Sequence, residues 1–484
     1  MERADATSPT PTVNGDEANF RKYLGDGGNE SAKDLEKVMS HVEERKAPED
    51  KRVSKDLDDP MNWPLGRRVY HTTVPAFLAL CVTFGSSVYS PGISEVAEKF
   101  NVSLTVSLLG LSLYVLGLAF GPMIAAPLSE TRGRLAVYRM SIPLAAAFTL
   151  GAGLSQNMAS LAVCRFFAGF FGSPCLAVGA GTIADIWPPV NRALATSVYL
   201  LAPFLGPALG PAVGGFAAQN KGWRWTQWPI LMVLGACGLY SLGMKETYMK
   251  IILQKRMTAR NGAPPPRTGP SGLTALKFLL TVTLVRPVYM LFAEPIVCFL
   301  SVYIGFNFAV LFGFFDAFPI VFGEVYHFDL GLTGLSFLGI GVGCLLAAVN
   351  VLLIDRLVYR KEYEKSLKQG KAGVVAPEHR LYAAMLGSLG PPVGLFWFAW
   401  TSRSDVHWIS PILASIPFGW GNLMVFDEQG AEVLTGNTVY HQLGIAWATS
   451  LLGFISLALM PVPWIFFKFG PRIRQKSHYD TIKV

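Results

Sequence analysis

Charged residues are scarce in this sequence, and their scarcity excludes an ordinary soluble protein. Asp, Glu, Lys and Arg supply 15% of the 484 residues, whereas a soluble domain carries about 25%. Hydrophobic residues supply 51%, and much of the chain after residue 69 consists of apolar runs of about twenty residues, the length that crosses a bilayer core of ~30 Å. The composition therefore predicts an all-α polytopic membrane protein.

Grouped metal ligands and catalytic motifs are missing as well. The histidines are scattered, and the sequence holds no CxxC pair, no HExxH and no GxSxG. The six cysteines fall within apolar runs, where small packing residues are expected: Cys81, Cys164, Cys175, Cys237, Cys298 and Cys344. We therefore expect no metal, no cofactor and no enzymatic activity. Positive cytoplasmic loops explain the net charge of +8, so no nucleic-acid partner is expected.

Polar segments divide the chain into domains. Residues 1–69 are rich in charge, Ser and Gly and have no apolar signal-peptide core, which predicts a disordered cytoplasmic tail. A basic segment and then a Pro/Gly-rich linker run from Lys245 to Gly272, as is typical of a cytoplasmic connector. The expected parts after the first tail are an N-terminal six-helix bundle at 70–244, a connector at 245–287, an incomplete C-terminal bundle at 288–467 and a cytoplasmic tail at 468–484.

The apolar runs number eleven, six before the connector and five after it. The predicted spans are 70–91, 104–127, 137–155, 158–186, 193–217, 226–244, 288–322, 331–354, 381–401, 406–426 and 442–467. Every second loop is rich in Lys and Arg, which places the N-terminus in the cytoplasm. The basic C-terminal tail predicts that the C-terminus is cytoplasmic too. An odd number of spans, however, puts the two termini on opposite sides of the membrane. Either 406–426 does not cross, or one span has been lost between Phe426 and Tyr440. We expect the loss, because "WISPILASIPFGWGNLMVF" is long enough to cross.

A short polar loop, "APLSETRGRLAVYR", follows the second span. It brings an acid, a glycine and two arginines together: Glu130, Arg132, Gly133 and Arg134. The glycine permits a tight turn with positive φ, and the arginines hold the loop on the cytoplasmic side. On this stretch alone, an ordinary positively charged cytoplasmic loop is as good an interpretation as a functional motif.

Two further motifs lie inside apolar spans. The fourth span contains "LAVCRFFAGFFGSP", which buries Arg165 among aromatic and small residues, and a buried arginine indicates either a function or a structural pairing with carbonyls or an acid. The fifth span contains "GPALGPAVGG", with glycine at every fourth position. That spacing builds a smooth face for close helix packing, while the prolines bend the helix and neighbouring groups satisfy the freed carbonyls.

Together these stretches resemble the major facilitator superfamily, in particular its fungal drug:proton antiporter branch. Glu130 stands where the loop signature most often has Asp, Ala126 where it has Gly, and Ala168 where the fourth-helix motif has Gln. The fifth-helix antiporter motif, Gly-x3-Gly-Pro-x2-Gly-Gly, is matched at Gly206, Gly210, Pro211, Gly214 and Gly215. The segments "DDPMNWPLGRR", "GWRWTQW" and "EPIVCFLSVYIGF" are similar to this branch too.

The resemblance implies a major facilitator fold of two six-helix bundles around a central cavity, rocking between inward- and outward-open states. It also implies an eleventh helix, which this chain is expected to lack. The loop after the second helix normally closes against that helix, so Glu130 would lose its partner.

Proton coupling needs an ionisable group whose surroundings change as the cavity opens to either side. The intramembrane candidates are Arg165, Asp316, Glu294 and Asp185. We expect Asp316 to be the cavity acid and Arg165 to tune its protonation, while Glu294 is equally well a helix-start residue. Candidate residues for an apolar cavity are Phe308, Phe314, Phe315 and Phe318, although lipid or core packing is the commoner role for such residues. Asn101 is the candidate glycosylation site, in an outer Asn-Val-Ser sequon.

The expected function is proton-coupled efflux of small amphipathic molecules such as drugs, toxins or secondary metabolites across the plasma membrane. The expected partners are the substrate, protons and the bilayer, and the chain is expected to be a monomer. Two alternatives remain open: a non-transporting member of the family that has lost a span, and an importer of a small nutrient or polyamine.

Overall fold

The computed structural model describes residues 59–261, 292, 295–368, 381–426, 452, 454–465 and 468. Residues 1–58 of the predicted N-terminal tail lie outside the described residues, as do Glu294, the connector beyond residue 261, the chain from 427 to Tyr440 and almost all of the C-terminal tail. The last residues assigned to the N-terminal tail, 59–69, contain a 3-10 turn and the start of the first helix. Everything below refers to the described part of the chain.

The N-terminal half is built from eight helices. They are α1 (Leu65–Ser87), α2 (Ile93–Phe100), α3 (Leu104–Arg132), α4 (Arg134–Gly153), α5 (Met158–Gly172), α6 (Pro174–Ile186), α7 (Pro189–Lys221) and α8 (Gln227–Ser241). Short 3-10 turns precede α1 at Pro60–Asn62, precede α2 at Ser90–Gly92 and precede α8 at Trp223–Thr226.

The connector starts with a helix, and the C-terminal half follows. The helices are α9 (Met249–Asn261), α10 (Pro295–Phe318), α11 (Leu330–Ser336), α12 (Leu338–Ile354), α13 (Arg360–Lys368), α14 (Leu381–Gly387), α15 (Gly390–Thr401) and α16 (Ile409–Phe426). A π-helical segment, Pro319–Val325, extends α10, and another, Asp355–Tyr359, joins α12 to α13.

Nine helical stretches of the described chain are long and apolar enough to cross a membrane, and some of them, such as Met158–Ile186, join two consecutive helices. They coincide with nine of the eleven predicted spans. The predicted span 226–244 is the 15-residue helix α8, and the described part of 442–467 contains the shorter apolar helix Phe454–Ile465. The all-helical architecture is therefore confirmed, whereas a count of eleven crossing spans stays a prediction.

Local chemistry sets several helix ends. The side chain of Asn157 accepts a hydrogen bond from the Ser160 amide at the start of α5 (2.8 Å), as is usual for an N-cap residue. Gly133 separates α3 from α4 at φ +95°, a backbone conformation that side chains other than glycine rarely adopt. The predicted tight turn after the second span is therefore present.

Two opposite ends of the bundle are defined by contacts between distant segments. At one end, which we call the connector end, the N-terminus of α4 contacts the segment between α8 and α9 through Arg134 and Glu246 (2.9 Å). At the other, which we call the far end, the Trp223 amide donates to the Glu95 carboxylate (2.6 Å). Helix α7 runs between the two ends and packs against α1 on one side and against α11 and α12 of the other half. It is therefore the seam between the halves.

Candidate functional site

One face of α7 is made of glycine and packs directly onto α1. A Cβ on Gly206 would lie 2.6 Å from the Phe84 amide nitrogen, and one on Gly210 would lie 2.7 Å from that of Val88. A Cβ on Gly214 would lie 3.0 Å from the Val88 carbonyl carbon and closer still to its oxygen. Only glycine therefore lets the two helices approach to this distance, which is the use of small residues expected in membrane helices.

A second face of α7 contacts the C-terminal half. A Cβ on Gly215 would lie 3.1 Å from the carbonyl carbon of Leu330, at the start of α11. In the other direction, a Cβ on Gly334 would lie 2.8 Å from the carbonyl carbon of Pro211. The adjacent residues Gly214 and Gly215 thus have different tasks, since the first packs within its own half and the second meets the other half.

A polar clasp lies at the far end of this second face. The Gln219 amide donates to the Asp329 carboxylate (3.2 Å), and its oxygen accepts from the Gly331 amide (2.8 Å). The other oxygen of Asp329 caps α11 through the Leu332 amide (2.7 Å). We call Gln219, Asp329 and Gly331 the far-end clasp, and it joins the two halves of the fold at the far end.

A cavity of about 260 Å³ adjoins the clasp. Its wall is largely apolar and comes from both halves, including Ser90, Pro91, Pro211, Pro319, Asp329 and Thr333. Thr333 is only 6% exposed. Separation of the halves at the far end would therefore uncover this residue.

Arg165 is fully buried and is held by backbone carbonyls. Its guanidinium donates to the carbonyls of Gly110 (2.9 Å), Gly85 (2.8 Å) and Ser86 (3.4 Å). Gly85 and Ser86 belong to the last turn of α1, whose carbonyls have no partner within the helix. A cation is favourable there because the C-terminal end of a helix carries partial negative charge.

Two aromatic rings complete the surroundings of this guanidinium. Its carbon lies 4.3 Å from the centroid of Tyr114 and 4.9 Å from that of Tyr89, within the range of cation–π attraction. Arg165 therefore joins α1, α3 and α5 at one point. Of the two interpretations open at the sequence level, this geometry favours structural pairing with carbonyls.

The loop motif after α3 contributes one partly buried arginine and two exposed side chains. Arg134 lies 3.1 Å from the Asp185 carboxylate, with little exposure of either side chain. Its guanidinium also lies 4.8 Å from the ring centroid of Tyr248. Glu130 and Arg132 are exposed. The structure thus brings the predicted residues Arg134 and Asp185 together at the connector end, within one ion pair.

An acid that the sequence analysis did not single out lies at the centre of this end. The Glu246 carboxylate accepts hydrogen bonds from the amides of Arg134 (2.9 Å) and Leu135 (3.2 Å), the first residues of α4. A carboxylate at a helix N-terminus satisfies free amides and offsets the helix dipole. The available signal was an acid directly after the last apolar run of the N-terminal half, beside basic residues.

Tyr248 follows two residues after Glu246 in the same segment. Burial raises the pKa of the Tyr248 hydroxyl above its ordinary value, and the nearby Glu130 charge adds to the rise while Arg134 opposes it. Thr247 donates to Asp185 (3.4 Å). The residues Glu246, Thr247 and Tyr248 therefore tie the chain after α8 to α4 and α6, and we call them the connector clamp.

The candidate phenylalanines divide into two groups. Phe314 and Phe318 are fully buried and Phe315 is 5% exposed, and the first two pack on Phe398 (5.4 and 5.3 Å between centroids) within the C-terminal half. Phe308 is half-buried and lies 5.7 Å from Phe204 of the N-terminal half. Phe308 therefore makes a ring contact across the two halves.

The remaining candidates are placed as follows. Asp316 is half-buried on α10. Asn101 is exposed and ends α2 in a left-handed conformation at φ 50°, while Ser103 of the same sequon caps α3 through the Val106 amide (3.3 Å). The sequon therefore lies in a tight turn between two helices.

Replacement of Glu246 tests the connector clamp. We expect Glu246→Gln to lower the stability of the purified protein by about 0.5–2 kcal/mol, because one carboxylate oxygen that accepts helix amides becomes a donor. Glu130→Gln is the matched control, since it makes the same change on an exposed side chain and should move stability by less than about 0.5 kcal/mol. Thermal unfolding of both variants in detergent measures the difference, and equal melting temperatures would refute the clamp.

Comparison with known proteins places this geometry in a family. The profile of the Major Facilitator Superfamily matches residues 76–428. The chain is 39% identical to polyamine transporter 4 of Saccharomyces cerevisiae, over 88% of this chain and 72% of that protein. It is 37% identical to an MFS-type efflux pump of Trichophyton rubrum, over 88% of this chain and 76% of that protein.

Two further matches concern chain length and fold. An MFS transporter of Fusarium is 35% identical over 517 positions, which cover 98% of this chain and 100% of that protein. Because this chain has 484 residues, that relative has residues inside the aligned region that this chain lacks. The solved structure of the proton:xylose symporter XylE has a TM-score of 0.54, covering 85% of this chain and 90% of its own at 13% identity, which shows the fold alone.

The family and the names of these relatives indicate a transporter rather than an enzyme. The extent of the profile match, the identity to the curated relatives and the two packed halves agree. This chain belongs to the Major Facilitator Superfamily.

Proposed function

We propose that this chain is a proton-coupled exporter of small amphipathic molecules such as drugs, toxins or secondary metabolites. The observation that carries the proposal is the antiporter-type motif on α7, which packs one half through Gly214 and meets the other half through Gly215. Curated relatives are named efflux pump and biosynthesis-cluster transporter, which supports export.

The proposed cycle uses the seam as its moving contact. With the N-terminus in the cytoplasm, the connector end is cytoplasmic and the far end is outside. The structure then corresponds to a state whose outer end is closed by the clasp and by the contact of Gly215 with Leu330. Export requires both contacts to part while the connector clamp keeps the N-terminal half rigid, so that the halves rock as bodies.

Proton exchange is proposed to use intramembrane acids of the C-terminal half. Asp316 is the favoured carrier and Glu294 the second, with Asp185 at the connector end pairing with Arg134 (3.1 Å). Arg165 contributes a fixed positive charge in the N-terminal half. The chain is proposed to act as a monomer in the plasma membrane, and Asn101 stays the candidate glycosylation site.

A polyamine is the second candidate substrate, and one observation favours it. The relative named polyamine transporter 4 is 39% identical to this chain. A polyamine carries several ammonium groups, and buried charges are usually paired. Asp316 and Glu294 are the carboxylates proposed to pair with such a substrate.

A lost span would favour a non-transporting member of the family, and the Fusarium relative has residues in the aligned region that this chain lacks. In that case the basic tail after the last span would lie outside the cell. A C-terminal tag that impermeant antibody reaches on intact cells would indicate this topology.

Drug retention by cells tests the proposed function. Cells that express the chain should retain less of a fluorescent amphipathic drug than control cells, and a protonophore should abolish the difference. A fluorescent polyamine measured in parallel distinguishes the second substrate class. Equal retention of both probes in expressing and control cells would contradict export, and higher retention would indicate import.

A further inference from the structure

The first helix of the connector, α9, has an exposed face that combines basic and apolar side chains. Leu253 and Met257 are 43% and 42% exposed, although Ile251 of the same helix is buried. Lys250 is exposed as well. Lys250, Leu253 and Met257 stand at i, i+3 and i+7, so they share one face of the helix. We call these three residues the α9 face.

Charge along α9 has one sign. The helix contains four basic residues and no acidic residue over Met249–Asn261, and the basic ones are Lys250, Lys255, Arg256 and Arg260. A ligand for the α9 face must therefore supply negative charge next to an apolar layer. Anionic lipid headgroups above acyl chains have this arrangement, and a helix with basic and apolar residues side by side lies in the plane of such an interface.

The start of α9 is held at the end of a span. The chain between α8 and α9 is fixed by the connector clamp to α4, and the Lys245 amide donates to the ring of His71 on α1 (3.0 Å). In the first turn of α9, the amides of Ile251 and Ile252 donate to the Tyr248 carbonyl (3.0 and 3.2 Å). The helix thus begins at the connector end of the bundle, shortly after α8, which corresponds to the predicted sixth span.

We propose that the α9 face docks on the membrane surface by binding anionic phospholipid headgroups through Lys250 while Leu253 and Met257 enter the acyl boundary. The ammonium group of Lys250 would reach the lipid phosphates, while the methylene groups of its side chain would lie along the apolar layer. Docking fixes the start of the connector parallel to the membrane. The position of the connector between the two halves would therefore depend on the lipid composition of the membrane.

The test places an environment-sensitive fluorophore on the α9 face. The full-length Met257→Cys variant is labelled and reconstituted into symmetric vesicles of phosphatidylcholine with or without phosphatidylserine, so its orientation in the bilayer does not matter. The unsubstituted chain, labelled in parallel, corrects for the six native cysteines. We expect fluorescence to rise with phosphatidylserine and to fall again at high salt, which screens such contacts.

Two lysines of α9 provide a matched comparison. Lys255 is exposed but lies five positions after Lys250, about 140° round the helix. We expect Lys250→Gln to shift the docking equilibrium about fivefold towards the undocked helix, and Lys255→Gln to leave it nearly unchanged.

Three outcomes would overturn the proposal. The first is a signal that does not depend on phosphatidylserine. The second is an equal effect of the two lysine substitutions. The third is a high signal in pure phosphatidylcholine that salt leaves unchanged, which would mean that another part of this chain covers the α9 face.

Discussion

Gly215→Ala should open the far end of the protein without destabilising the N-terminal half. The added methyl group would press on the Leu330 carbonyl, whose carbon would lie 3.1 Å from the new Cβ. Overpacking of this kind costs about 1–3 kcal/mol, and it acts only while the halves are in contact. The equilibrium should therefore shift about 5- to 150-fold towards the open far end.

A cysteine in the far-end cavity measures this shift. Thr333 lines the cavity and is 6% exposed, so a Thr333→Cys variant should react slowly with an impermeant thiol reagent. Adding Gly215→Ala should raise the labelling rate by the same factor as the equilibrium. Transport should fall, because the open state returns less readily to the closed one.

Gly214→Ala is the matched control for this prediction. It makes the same substitution at the adjacent position, with the Val88 carbonyl carbon 3.0 Å from the new Cβ. Since Val88 belongs to the same half, we expect a lower melting temperature and no increase in labelling at position 333. Identical behaviour of the two variants would show that α7 does not divide its contacts between the halves.

Arg165→Met should be the most destabilising single substitution considered for this protein. It removes a guanidinium that donates to three buried carbonyls, those of Gly85, Ser86 and Gly110. Hydrogen bonds to a charged group contribute about 1.5–3 kcal/mol each, so the loss would equal a large part of the stability of a typical domain. We expect little folded protein, measured as the monodisperse fraction after purification.

Arg165→Lys separates structural pairing from a role in protonation. The ammonium group keeps the charge but not the planar fork that reaches carbonyls of two helices at once. If Arg165 acts by joining α1, α3 and α5, this variant should melt at a lower temperature and transport more slowly with an unchanged pH profile. A shifted pH profile at normal stability would instead support the tuning of proton transfer.

Sequence patterns predicted the helices well because the bilayer imposes their length. The spacing of Gly206, Gly210 and Gly214 also predicted a close-packing face on α7. The partner of Gly215 was not predictable, because the identity of a neighbouring helix depends on tertiary arrangement and not on the local pattern.

The roles of several other residues also depend on tertiary arrangement and were not predictable from the sequence. Phe314 and Phe318 occupy apolar spans in which a cavity-lining and a core phenylalanine have the same neighbours in sequence. Glu246 caps a helix that begins 112 residues earlier in the chain. No local sequence motif could therefore predict the contact. Carbonyl partners of Arg165 were foreseen only as one of two structural options, because the burial of an arginine does not reveal which group pairs with it.

Proton-driven accumulation in vesicles distinguishes antiport from symport and from the absence of transport. The purified chain is reconstituted with a pH gradient across the membrane, and uptake of a fluorescent amphipathic drug is followed together with the pH of the lumen. Exchange of drug for proton should accumulate the drug in vesicles with an acidic lumen, whichever way the protein is inserted, and each addition of drug should raise the luminal pH. Accumulation driven only by an alkaline lumen would indicate symport, and either that result or no movement of drug and protons would contradict proton-coupled export.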